Sequence, residues 1–197
     1  MAPTAATRDS GSDPPADRRV LVAGIGNIFC TDDGFGPAVI ARLQARGRDT
    51  SGRAVAGASA GAPAGARVID YGIRGLHLAY DLLDPPEVLI LVDAVPGRGE
   101  PGRVSVLRIE PGHLPAGAGD GGQLDAHGMD PVTLLSNLVS LGGHLPGTTL
   151  LVGCQAGDTG EGIGLTPPVE AAVAVAAGVV QDLLGRESTG LPRAEVV

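Results

Sequence analysis

Val88-Leu89-Ile90-Leu91-Val92-Asp93 is the stretch whose reading decides the fold: five consecutive apolar residues and then a carboxylate. A short, continuous apolar run reads as a strand buried on both faces, the kind found in a parallel sheet covered by helices. Just before it, Pro85-Pro86 stops a short helix expected over residues 76–83. Earlier still, Arg67-Val68-Ile69-Asp70 reads as a strand, and Val20-Leu21-Val22-Ala23 as another that stops at Gly24. A Gly-rich turn follows that first strand, then a helical pattern with Phe35, Val39, Ile40 and Leu43 on one face. On the other side of Asp93, residues 102–109 alternate like a strand with one wetter face. Asp130 is placed to cap a helix with Pro131 in its first turn, and Val132, Leu134, Leu135, Leu138 and Val139 supply the apolar face. Residues 148–153 read as a strand, and Thr166-Pro167-Pro168 opens a last helix with Val169, Ala172, Val173, Val180 and Leu184 inward. The order β-α-β-α-β-β-α-β-α predicts an α/β fold with a mostly parallel sheet of five strands.

The chain has 197 residues, enough for one domain with a substantial core. Aromatic residues are only 2% and Trp is absent, so core volume has to come from Val, Leu, Ile and Ala. Gly (32) and Pro (16) make up roughly a quarter of the chain, approaching low-complexity composition, so part of it is expected to be disordered. That expectation falls on residues 1–18, a Pro/Ser/Asp/Arg-rich tail, and on residues 186–197, leaving one domain over 19–185. Residues 50–65 read as a flexible Ala/Gly insertion and residues 111–124 as a Gly/Pro-rich loop. A formal net charge of −8 with no basic stripe argues against nucleic acid as a partner. The N-terminal residues lack the apolar core of a secretory signal, and the longest apolar stretch, 171–180, is too short to span a bilayer, so no membrane role is expected. Two Cys make no disulfide framework, and a reducing cytoplasm is the simplest setting.

Gly24-Ile25-Gly26-Asn27 after a strand invites a dinucleotide-binding reading, but that motif needs a third Gly where Phe29 stands. Asp32 and Asp33 then occupy the place where a pyrophosphate would meet the helix, and like charges oppose it. Ligands of open α/β sheets bind outside the carboxyl ends of the strands. There the sequence puts Asp32 and Asp33, Asp70 and Asp93, while His127 lies in a loop that can reach the same edge. Arg74 is the nearest cation in sequence. Carboxylates gathered at one edge repel unless something positive lies between them, and two carboxylates with one imidazole suit nickel or zinc. Each residue also has a plainer role open to it: Asp32 or Asp33 as a helix cap, Asp93 bonded to loop amides, His127 on the surface. Spacing alone does not select this trio.

Gly24-Ile25-Gly26-Asn27-Ile28-Phe29-Cys30-Thr31-Asp32-Asp33-Gly34-Phe35-Gly36 closely resembles the N-terminal signature of the hydrogenase maturation proteases. Val68-Ile69-Asp70-Tyr71-Gly72, Leu89 to Val95, Asp125-Ala126-His127-Gly128 and Ile163 to Val169 are similar to the family's later blocks in order and spacing. The resemblance implies an α/β/α sandwich around a twisted sheet. It implies an endopeptidase that removes the C-terminal extension of a nickel-iron hydrogenase large-subunit precursor after nickel insertion. Asp33, Asp93 and His127 carry over as the metal-engaging and catalytic residues, with nickel supplied by the precursor and none expected on the free enzyme. Asp70 and Gly36 are candidate substrate contacts, although Asp70 could equally cap and Gly36 could serve helix–sheet approach. Asp stands at 33 where many members have Glu, and Tyr71-Gly72-Ile73-Arg74 departs from the commoner Gly-Gly-Thr turn. Metal-assisted hydrolysis by a monomer is the expected mode. A non-cleaving maturation chaperone and a small-molecule hydrolase on the same fold are the alternatives.

Overall fold

The computed structural model describes residues 19–46, 66–97, 99–114 and 130–189. The expected insertion at 50–65, the tail at 1–18 and the loop bearing His127 lie outside the described residues. The elements in chain order are β1 (Val20–Ile25), α1 (Phe35–Arg46), β2 (Ala66–Gly72), α2 (Gly75–Asp81), β3 (Val88–Val95), β4 (Val104–Arg108), α3 (Pro131–Ser140), β5 (Thr148–Gln155) and α4 (Pro167–Thr189). The strands form one sheet in the order β2-β1-β3-β5-β4. β1, β2, β3 and β5 run parallel and β4 alone is antiparallel, at an edge. The order of elements matches the sequence expectation.

Strand periodicity divides the interior into two layers. Val88, Ile90 and Val92 of β3 face one side, where α1 and α4 pack with Phe35, Ile40, Val173 and Val180. Leu89 and Leu91 face the other, against Leu78 and Leu82 of the α2 segment and Leu134, Leu135 and Leu138 of α3. The result is a three-layer α/β/α sandwich with a mostly parallel five-stranded sheet. The chain leaves β1 in one direction to form β2 and returns past it to form β3, so the strand order reverses beside β1. A crevice opens at such a reversal, outside the carboxyl ends of the strands.

Several boundaries differ from expectation. β3 does not stop at Asp93; it continues through Ala94 and Val95, which pair with Cys154 and Gln155 of a longer β5. α4 runs through Thr189, into the stretch 186–197 expected to be loose, and residues 190–197 lie outside the described residues. By length and composition α4 is apolar enough to cross a membrane, but it is the helix whose Val169, Ala172, Val173, Ala176, Ala177, Val180 and Leu184 are buried in the core. The cap of α3 forms as expected: Asp130 Oδ1 accepts from the backbone N–H groups of Val132 and Thr133, both at 3.0 Å.

Candidate active site

Asp93 lies on β3 one residue beyond Val92, whose partner Gly24 is the last β1 residue paired with β3. It therefore faces the mouth of the crevice where β1 and β3 part. Strand alternation puts it on the same face as Leu89 and Leu91, and its exposure is only 3%. Asp33 reaches the same mouth from the 3-10 turn Thr31–Gly34 between β1 and α1. Its Oδ2 accepts the backbone N–H of Asn27 at 2.7 Å, which holds the carboxylate back toward the end of β1. Gly26 links the two acids. Its φ of 127° suits glycine. A Cβ there would overlap the carbonyl oxygen of Asp33 and stand 3.7 Å from Asp93 Oδ1.

The electrostatics follow from this placement. Burial pushes the Asp93 carboxyl well above its ordinary value, the Asp33 charge pushes it further, a backbone hydrogen bond from Ala94 opposes, and Asp130 adds to the rise. Arg74 does not answer this charge: its guanidinium is engaged with the carbonyls of Asp70 (2.5 Å) and Tyr71 (3.1 Å). A buried carboxyl facing a second carboxylate is a place prepared for a cation or a proton. Among the described residues no three His, Cys, Asp or Glu side chains gather as a metal-binding group. His127, the third member of the expected trio, lies outside the described residues. The other three histidines, His77, His113 and His144, are exposed.

Asp32 has a different task from its neighbour. It is fully buried, and its carboxylate accepts four hydrogen bonds from the β5–α4 loop: Gly157 N (2.8 Å), Asp158 N (2.9 Å), Thr166 N (2.7 Å) and Thr166 Oγ1 (2.9 Å). Burial works to raise its pKa, but the donors of Thr166, Asp158 and Gly157 together outweigh it and hold the group below 3.8. Backbone bonds extend the clamp: Thr31 N to Gly162 O at 3.1 Å and Gly162 N to Phe29 O at 2.9 Å. Thr31 is held between these at φ 46°, an unusual value for a residue with a side chain. The sequence favoured a turn or cap for Asp32 over a ligand; its donors lie more than 120 residues away, where no local pattern points to them.

Asp70, at the carboxyl end of β2, lines a groove of about 400 Å3 on the α1/α4 side of the same edge. Gly36 is buried in the helix–sheet contact. A Cβ there would overlap the carbonyl oxygen of Ile25 and stand 2.5 Å from that of Val92, so the position serves close approach of α1 to the sheet. Cys30 accepts a bond from Asn27 Nδ2 at 3.3 Å and belongs to the turn.

With two acids set at a sheet's switch point, comparison with known proteins becomes decisive. The family model described as hydrogenase maturation protease matches residues 57–182. The chain belongs to the hydrogenase maturation protease family. It is 31% identical over 161 residues to the hydrogenase expression/formation protein HupD of Bradyrhizobium diazoefficiens, covering 80% of this chain and 73% of that one. Among solved structures, the hydrogenase 2 maturation peptidase of a Thaumarchaeota archaeon superposes with a TM-score of 0.57 at 33% identity, covering 85% of this chain and 99% of that one. The hydrogenase maturating endopeptidase HybD of Escherichia coli gives a TM-score of 0.61 at 27% identity, covering 87% and 94%. As a hydrogenase maturation protease, the chain is a peptide hydrolase that processes a hydrogenase precursor.

Proposed function

We propose that this protease removes the C-terminal extension of a nickel-iron hydrogenase large-subunit precursor once nickel has been inserted, with Asp33, Asp93 and His127 engaging the nickel that the precursor carries. The observation that carries the reading is Asp93: a buried carboxyl beside Asp33, with no cationic side chain acting on it among the described residues. Such a pair gains from a divalent cation delivered with the substrate. His127 fits the same reading. Asp130 is close enough to act on Asp93, and the covalent chain keeps the Cα of a residue three positions earlier within roughly 11 Å of its own. Two carboxylates and one imidazole form a donor set suited to nickel.

The bound metal would polarise the scissile carbonyl and lower the pKa of water beside it. This chain's residues do the rest. Asn27 orients Asp33 through its N–H, Gly26 leaves room for both acids, and the strand fixes Asp93. One of the two carboxylates takes a proton from the attacking water as its oxygen joins the carbonyl carbon. The C–N bond then breaks and the proton passes to the leaving amine. Neither Cys is needed as a nucleophile: Cys154 is buried with its thiol pushed up to about 11 by burial first and the Asp32 charge second. The same reading has the protein act as a cytoplasmic monomer.

The test is incubation of the purified protein with nickel-loaded and nickel-free precursor, read by intact mass. Loss of the C-terminal peptide from the loaded form alone is expected, and Asp93→Ala and His127→Ala should abolish it in folded protein. Equal cutting of both forms would remove nickel from the reading; normal processing by either variant would remove the residue assignment.

A further inference from the structure

The acid pair occupies one face of the sheet's carboxyl edge, and the groove beside it occupies the other. Its walls are Ile28 and Phe29 of the β1–α1 connection, Pro37 and Ala38 of α1, and Ile163 and Leu165 of the β5–α4 loop. Phe29 is 62% exposed and Ile163 is 86% exposed. Large apolar side chains grouped at the rim of a concave surface mark a docking site, whereas scattered ones do not. These two are held there by structure: Gly162, next to Ile163, is bonded to Phe29 and Thr31, and Asp32 ties down both ends of the loop. The groove is therefore shaped before any partner arrives, which lowers the ordering cost of binding.

Its ionisable lining residues are Asp70 and Glu170, both acidic. Neither is in an ion pair among the described residues. An apolar groove carrying two exposed carboxylates selects a partner that is apolar and positively charged at neighbouring positions. The groove also borders the turn that carries Asp33. Thr31 and Gly34 line it, and the residues between them are Asp32 and Asp33. An extended polypeptide lying across the turn would meet the groove on one side and the acid pair on the other.

We propose that this groove is a specificity subsite for the precursor polypeptide, taking one large apolar side chain between Phe29 and Ile163 and an adjacent Lys or Arg against Asp70 and Glu170. The proposal rests on the protease reading above and adds the sequence feature near the cut bond that the chain selects. The apolar contact supplies most of the affinity, and the exposed acids supply selectivity and salt dependence.

Direct binding tests it without requiring cleavage. The probes are a fluorescein-labelled Gly/Ser decapeptide with Leu-Arg at its centre and a twin with Ser-Ser there, followed by fluorescence anisotropy with the full chain. The Leu-Arg peptide is expected to bind about tenfold more tightly, with the preference weakening in salt. Asp70→Asn combined with Glu170→Gln, and separately Ile163→Ser, should erase the preference. All three side chains are exposed, so the fold should tolerate their loss. Asp93→Asn should keep it. Equal binding of the two peptides, no binding of either, or a preference that survives both groove variants would overturn the proposal. A concentration-dependent dimer abolished by Ile163→Ser would assign the groove to a second copy and overturn it equally. Failure of the unaltered protein to cut nickel-loaded precursor would strike the protease reading alone and leave the peptide result standing.

Discussion

Asp93 shows how much one side chain can depart from its surroundings. Its neighbours on the same strand face, Leu89 and Leu91, are fully buried hydrocarbon, yet the third position along is a carboxyl at 3% exposure. Ionising it there means charging a desolvated group beside Asp33, and the pKa rises accordingly. A raised carboxyl pKa in the folded state makes the fold lose stability as pH climbs above the unfolded value of about 3.9, because the unfolded chain ionises first. Asp93→Asn keeps the shape and removes the charge. In metal-free buffer at pH 7 it should raise stability by about 1 kcal/mol while abolishing processing, the usual sign of a site built at the fold's expense. The gain should shrink as the buffer approaches pH 4, where both chains are neutral at this position. Denaturant midpoints across that range check it; a variant less stable than its parent at pH 7 would contradict the electrostatic account. Position and residue type were both legible in sequence, since Asp ends an unbroken apolar run. Its partner was less so: Asp32 and Asp33 look alike locally, and the family signature rather than the local pattern favoured Asp33.

At the scale of elements, the β1–α1 turn and the β5–α4 loop behave as one unit. Four donors from the loop converge on Asp32, and two backbone bonds lie beside them. Asp32→Ala would leave the N–H groups of Gly157, Asp158 and Thr166 without their acceptor, and would empty a fully buried position. A loss of roughly 3 kcal/mol or more is expected, read as a lower urea midpoint. Processing should fall as well, because the adjacent Asp33 takes its position from the same turn. A stability change below about 1 kcal/mol would mean the loop finds other partners. The cap at Asp130 could be foreseen because its acceptors and donors are sequence neighbours. The clamp could not, because its donors are brought in by the last parallel strand. The same reason hid the groove: Phe29 and Ile163 become neighbours only when β5 inserts between β3 and β4.

For the whole molecule, function depends on how closely the layers approach. Gly36 lets the start of α1 sit against the backbones of β1 and β3, where a Cβ would meet the carbonyl oxygens of Ile25 and Val92. Backbone cannot yield as a side-chain tip can. Gly36→Ala should cost about 3 kcal/mol and displace the turn that carries Asp33, lowering cleavage in whatever protein remains folded. Thermal unfolding together with precursor processing checks this; an unshifted melting temperature would show that α1 has slack. The two-core arrangement itself was readable from the alternation of strand and helix patterns, while the lengths of β3 and α4 depended on partners that the local pattern does not contain.

The tie between Thr166 and Asp32 also bears on when the protein becomes able to work. The residues that hold the Asp33 turn in place are among the later ones to leave the ribosome, so a growing chain that has already made β1, β3 and both acids still lacks a finished catalytic edge. The turn that carries Asp33 is therefore expected to settle only once the β5–α4 loop has been made and folded against it.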